Sequence, residues 1–366
     1  MLFIGKAANY RSGDIWRHTF AWGTQKHSEQ LRQHLAKRYD STPNRVVLYQ
    51  SGRSAICAGL KQLLPKDSEV IINGFTCYAV VEAVTTAGCT PVFADIIAKN
   101  LHFSAKTLTD VLKKHPKAKA IIIQNSLGYP VDIAKIEKIA KKYKLLIIED
   151  LAHCTGVKYP DGREVGTVGI ATMLSFGKGK SIDTITGGAL ILRDKSVKMP
   201  SQPSRKPKTS DRLRSRWYPV FGACMRGLAH LHLDKLFTGV LRAFHWIEPS
   251  ADTGLKLDAR LTHWQAKLAL RQLEKLPANG RGPLRSFVLT KNREDLLDEL
   301  RQNGFRFEEI WYDPAVSPER YFKKVHYLLA ECPNSVRISK EIINIPLYYS
   351  AKELESAVEI INRYKK

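Results

Sequence analysis

The stretch MLSFGKGKSIDTITGGALIL, residues Met173–Leu192, decides the fold. A short apolar run ends at Ser175-Phe176, and a Gly- and Lys-rich turn, Gly177-Lys178-Gly179-Lys180, follows it. Gly187-Gly188 then opens a second apolar run. Short apolar runs bounded by glycine read as buried strands. An ammonium group in a turn between buried strands is costly unless it has a task. By itself the stretch supports two readings: a solvated basic turn, or a turn in which Lys180 holds an aldehyde as a Schiff base.

Upstream, from about Val46, short β-type runs alternate with longer amphipathic segments. Strands are expected at Val46–Tyr49, Val70–Ile72, Pro91–Asp95, Ala120–Gln124, Leu145–Glu149, Thr172–Phe176 and Ala189–Leu192. Several are almost wholly apolar, as strands of a parallel sheet covered on both faces should be. The fold class expected is α/β: a three-layer α/β/α unit on a mostly parallel seven-stranded sheet, with a smaller C-terminal α/β domain. Ligands of such sheets bind beyond the carboxyl ends of the strands. The polar residues of interest fall there. Ser51-Gly52-Arg53-Ser54 follows the first strand, Cys77-Tyr78 the second and Asn125 the fourth, while Asp150 and His153 follow the fifth and Ser175 and Lys180 the sixth.

Four segments are expected. Residues 1–195 form the N-terminal region and large domain, 196–216 a basic, exposed and mobile linker, 217–260 a basic amphipathic helical segment, and 261–366 the small domain. Within Trp217–Ile247, Leu233, Leu236, Phe237, Val240, Leu241, Phe244 and Ile247 follow helical spacing. That helix either covers the core or a dimer interface, or it lies on an anionic membrane, giving a peripheral contact through 196–247.

The chain has 366 residues, with 58 Lys+Arg against 35 Asp+Glu and a formal charge of +23. Such a field favours anionic partners: nucleic acid, an acidic membrane or phosphorylated small molecules. Six cysteines without a CxxC pair read as reduced thiols of a cytoplasmic protein, not as a zinc or disulfide framework. The apolar start is too short for a signal peptide, and no run is long enough to span a bilayer.

Together the strand-end residues fit pyridoxal phosphate better than a nucleotide. That cofactor needs a lysine for its aldehyde, a carboxylate for its pyridine nitrogen, a phosphate cup and walls for its ring. Lys180 supplies the first and Asp150, ending a buried strand, the second. The Ser51–Ser54 turn leads into a helix whose amides can hold a phosphate, with Ser54 and Ser175 adding hydroxyls.

The blocks LYQSGRSAI, VIINGFTCYAVVEAV, AGCTPVFADI, NSLGYPVDIAKI, LLIIEDLAHCTG and LSFGKGKSIDTITGG, taken in order, resemble the DegT/DnrJ/StrS family of pyridoxal-phosphate-dependent sugar aminotransferases, of the aspartate-aminotransferase fold. The resemblance implies Lys180 and Asp150 as catalytic residues. Gly52, Arg53, Ser54, Cys77, Tyr78, Asn125, His153 and Ser175 would join them in holding the cofactor, with His153 near its phenolic oxygen. Arg53 stands where the family has a threonine, Cys77 where it commonly has an aromatic residue, and Asp258 where a partner subunit donates an asparagine.

The activity implied is transfer of an amino group from an amino acid, glutamate in the family, to a nucleotide-linked keto-sugar. Such aminosugars serve surface polysaccharide or secondary-metabolite pathways, and a homodimer without a nucleic-acid partner is expected. Two alternatives stand beside it. One is a deoxysugar dehydratase, whose family members carry histidine in place of the lysine. The other is a non-catalytic or membrane-surface relative.

Overall fold

A computed structural model of the chain describes residues 12–230 and 254–364, apart from 306, 308–309, 323–324, 326, 328 and 346–350. Its strands, in chain order, are β1 (Val46–Tyr49), β2 (Glu69–Asn73), β3 (Thr76–Cys77), β4 (Thr90–Ala94), β5 (Ala120–Ile123), β6 (Leu146–Asp150), β7 (Ala171–Ser175), β8 (Gly188–Leu192), β9 (Phe287–Leu289), β10 (Val316–Ser317) and β11 (Ile342–Asn344). Seven of them form one sheet in the order β1-β8-β7-β6-β5-β2-β4. The run from β7 to β4 is parallel, and β8 lies antiparallel to both β7 and β1. The loop 176–187 joins β7 to β8 and holds no helix that could carry the chain across the sheet into a parallel pairing.

Side-chain alternation along the strands sorts the apolar residues into two cores, one on each face. Val47, Tyr49, Ile72, Ile122 and Leu190 enter one core. Val46, Leu48, Ile71, Ile121, Ile123 and Ile191 enter the other. Helices cover both faces, which explains why the strands read as unbroken apolar runs. Ser51 and Asp132 start two of these helices by accepting from the backbone N–H of Ser54 and Lys135.

The small unit is built on the antiparallel pair β9–β11, with helices Arg293–Gln302 and Ala351–Arg363 closing its own core around Leu296, Leu300, Ile343 and Ile360. It touches the large unit beside the site, where β10 pairs with β3.

Two expected boundaries shift. The helix His263–Glu274 lies against Gln25–Arg38, and Leu261, Ala266, Ala269 and Leu273 enter the large unit's core. It therefore belongs with the sheet and not with the small unit in which the sequence reading placed it. The linker is largely exposed, as expected, but anchored at points along it: Pro203 and Pro207 are buried, Gln202 Nε2 donates to the Val46 carbonyl, and Arg205 bridges to Ala259. A helix, Thr209–His230, begins inside it. The amphipathic positions Leu233 to Ile247 lie outside the described residues. Among the described residues no helix is long and apolar enough to cross a membrane.

Candidate active site

At the carboxyl ends of β1, β6 and β7 lies a cavity of about 350 Å³. Gly52, Arg53, Cys77, Asp150, His153, Ser175 and Lys180 all line it. Strand β6 ends in Asp150, 5% exposed, and a carboxylate oxygen there accepts from the Ala152 N–H at 2.9 Å. Burial pushes this carboxyl up to about 6, against the opposing pull of the Ala152 hydrogen bond and the Lys180 charge. A buried carboxylate with so few donors is set to receive a cation.

The turn after β7 carries Lys180 across the cavity, where its Nζ lies 2.7 Å from His153 Nε2. The hydrogen-bond directions define this contact. The Leu127 backbone N–H donates to His153 Nδ1 at 3.0 Å, so a neutral imidazole carries its proton on Nε2. Burial, with Lys180 and Arg285 nearby, holds the His153 pKa well below its ordinary value and keeps the ring neutral. Nε2 is thus the ring nitrogen that faces Lys180 Nζ, and this contact fixes where the lysine amine sits in the cavity.

The phosphate cup depends on a close approach. A Cβ at Gly52 would fall 2.7 Å from the Ser175 Cβ, so glycine lets the helix Gly52–Leu63 begin against the end of β7. The helix start thus presents its amides beside the Ser175 hydroxyl, an arrangement suited to a dianion. Pyridoxal phosphate fits this set: a lysine held against a buried histidine, an under-satisfied buried carboxylate, and a glycine-lined helix start. Cys77, Ala79, Val80 and Met173 add apolar wall.

Other expected contacts are engaged elsewhere. Arg53 lines the cavity but forms an ion pair with Glu82. Ser54 donates to the Lys256 carbonyl at 2.9 Å, and Asn125 Oδ1 accepts from the Val131 N–H. Tyr78 stacks on Tyr321 with ring centroids 4.1 Å apart. None of Ser54, Asn125 and Tyr78 lines the cavity. Asp258 also points away, paired to Arg205 at 2.6 Å.

Sequence reasoning missed several residues that do line it. Gln124 donates to Thr76 Oγ1 at 2.6 Å, and the Tyr312 hydroxyl lies 3.4 Å from His153 Nδ1. Asp211, Arg214, Ser215, Tyr218 and Phe221 come from the helix Thr209–His230. Gln124 follows β5 directly and could have been found by the strand-end rule. Tyr312 sits in an irregular segment with no motif around it.

The model of the DegT/DnrJ/EryC1/StrS aminotransferase family matches residues 21–281. A UDP-N-acetyl-3-dehydro-alpha-D-glucosamine 3-aminotransferase of Acidithiobacillus ferrooxidans is 25% identical over 84% of this chain and 80% of its own length. A dTDP-4-amino-4,6-dideoxy-D-glucose transaminase of Shigella dysenteriae is 32% identical over 48% of this chain and 45% of its own. Among solved structures, a putative sugar aminotransferase of Streptococcus pneumoniae in its PMP form superposes with a TM-score of 0.69 at 18% identity, covering 97% of each chain. At that identity the likeness speaks to the fold.

Proposed function

The chain belongs to the DegT/DnrJ/EryC1/StrS aminotransferase family, and from that premise we propose that it moves an amino group from an amino acid to the carbonyl of a nucleotide-linked keto-sugar, using pyridoxal phosphate. Glutamate is the donor by family resemblance, and the chain acts as a homodimer on the same ground, which sedimentation velocity tests. The observation that carries the proposal is the convergence of Asp150 and the Lys180–His153 pair on one cavity.

Bound there, the cofactor supplies an electron sink for carbon–hydrogen cleavage beside the amine. Asp150 would hold the ring nitrogen's proton, an arrangement that also compensates its own burial. Lys180 would hold the aldehyde and, once displaced, take and return the proton at its Nζ, which His153 Nε2 positions. Gly52 and Ser175 would hold the phosphate. Cys77 and Val80 would exclude water from one side of the ring.

The test is spectroscopic. The purified protein should show the visible absorption of the lysine-bound cofactor, and glutamate should bleach it. Lys180→Ala should abolish both. A wild-type protein that takes up no pyridoxal phosphate would refute the reading.

A second property has its own observation. Trp16, Phe20, Leu213 and Trp217 are exposed, and Phe20 contacts both Trp16 and Trp217, with centroids 5.8 and 6.3 Å apart. Arg212 is exposed on the same helix face, and Arg17 on the helix Ser12–Thr19. Aromatic residues among arginines support peripheral contact with an anionic lipid surface.

A further inference from the structure

A second cavity, of about 360 Å³, opens along the helix Gly52–Leu63, beyond the helix start that forms the phosphate cup. Ala58, Lys61 and Gln62 recur at helical spacing and give it one wall, and Tyr49 at the end of β1 gives it another. The stretch 200–204, with Leu257 and Asp258, closes the far side. That side is fixed in place. Gln202 Nε2 donates to the Val46 carbonyl at 3.1 Å, and the Arg205 N–H donates to the Asp258 carbonyl at 3.0 Å. None of Asp150, His153 and Lys180 lines this cavity, so nothing in it depends on the transaminase reading.

Tyr49 carries the signal. It is 2% exposed, yet its hydroxyl has no hydrogen-bond partner among the described residues. Buried hydroxyls are nearly always bonded. The Tyr49 hydroxyl is not enclosed by protein as that of Tyr39 is, and the cavity is the space Tyr49 lines. Burial holds its phenol well above the ordinary pKa, so the group keeps its proton and donates. Lys61 is exposed at the rim and has no ion pair among the described residues. Tyr49 and Lys61 both lie within electrostatic reach of Cys57, which puts the two donors in one region. The lining carboxylate, Asp258, is already paired with Arg205 at 2.6 Å. The charge left at the cavity is therefore positive, beside apolar surface from Ala58, Pro203 and Leu257.

We propose that this cavity is a second ligand site, which takes a small organic acid with an apolar body. Its carboxylate accepts from the Tyr49 hydroxyl and pairs with Lys61, two charge-assisted contacts. The body lies against Leu257 and Pro203, and the volume is that of a small-molecule site.

The experiment is a saturation-transfer NMR titration of the full chain with benzoate and hexanoate, each compared with its neutral alcohol, benzyl alcohol or hexanol. At least one acid should bind wild type more tightly than its alcohol. Tyr49→Phe should weaken that binding about tenfold, and Lys61→Ala about threefold. Ala58→Leu, which fills part of the cavity, should abolish it; if that variant does not fold, the other two decide. Tyr49→Phe should melt no lower than wild type, because its hydroxyl gives up no bond within the protein. A lower melting temperature would assign the hydroxyl to the fold and overturn the site. Failure of both acids to bind wild type also overturns it, as does an alcohol that binds as tightly as its acid. Undiminished binding to Tyr49→Phe has the same force. If the variants change the sedimentation coefficient of the free protein, a second copy of the chain covers the cavity and the ligand site falls.

Discussion

Glu149 and Asp150 are neighbours in the run LLIIED, and alternation along β6 sends them to different fates. Glu149 is fully buried and accepts from the Tyr159 hydroxyl, the backbone N–H groups of Gly166, Val168 and Gly169, and Arg193. It is a structural hub. Glu149→Ala should cost about 3–5 kcal/mol in urea unfolding, because those donors and the Arg193 guanidinium would be left buried without it. Asp150 faces the cavity with few donors, and its pKa is raised from 3.8 to about 6. Between those values the unfolded chain has lost a proton that the folded chain retains, so cofactor-free stability falls as pH rises through this window. The expected loss by pH 7 is about 3 kcal/mol. Asp150→Asn, without cofactor, should therefore melt higher than wild type at pH 7.5 and lose that advantage near pH 4. Pyridoxal phosphate should raise the wild-type melting temperature more at pH 7.5 than at pH 4.5. A flat profile would remove Asp150 from the role of cation receptor. The sequence showed where the two carboxylates lie. Their division of labour depends on partners at 159–193 that no local pattern reveals.

The turn Ser126–Gly128 shows what local patterns miss at the scale of an element. Asn125 and Leu127 both have left-handed backbone, with φ of 46° and 56°, and for a leucine that is strained. Distant hydrogen bonds maintain it. The Leu127 N–H holds His153, and its carbonyl accepts from Leu284 and Arg285 at 2.8 and 3.3 Å. One residue thus sets the histidine tautomer and moors the approach to β9. At Gly128, φ is +88°, and an added Cβ would lie 2.6 Å from the Leu284 nitrogen. Gly128→Ala should cost at least about 2 kcal/mol in denaturant unfolding and weaken uptake of pyridoxal phosphate. Stability loss with unchanged uptake would separate the turn from the site. Gly128 and Pro130 are ordinary turn residues, but a leucine gives no sign of left-handed backbone. The seven sheet strands, by contrast, appear within about a residue of their expected ends, because continuous apolar runs between turn residues have one cheap solution. The helix Thr209–His230 overlaps the helical segment expected from 217, and only its first two turns lie in the stretch read as linker. Its inner face meets a cavity and not a core, so it lacks the apolar stripe by which helices are recognised, and Pro219 lies within it.

At the scale of the whole molecule, the formal charge of +23 and the exposed aromatic cluster bear on one question, where the protein resides. A positive field alone draws a protein toward any polyanion and fades with salt. Tryptophan and phenylalanine at the same surface add a contribution that salt does not screen, since their rings bury apolar area at the headgroup level. The two terms can be separated by experiment. The full chain should co-sediment with vesicles containing phosphatidylglycerol and not with pure phosphatidylcholine. Raising salt should weaken the association without abolishing it. Trp16→Ala combined with Trp217→Ala should remove the salt-resistant part, leaving the cofactor band intact because neither residue lines the cavity. Equal behaviour on charged and neutral vesicles would sink the lipid reading. If the double variant instead changes only the sedimentation coefficient of the free protein, the aromatic cluster is covered by a second copy of this chain. The outer face of the helix Thr209–His230 would then belong to the assembly, while its inner face lines the cavity that holds Lys180.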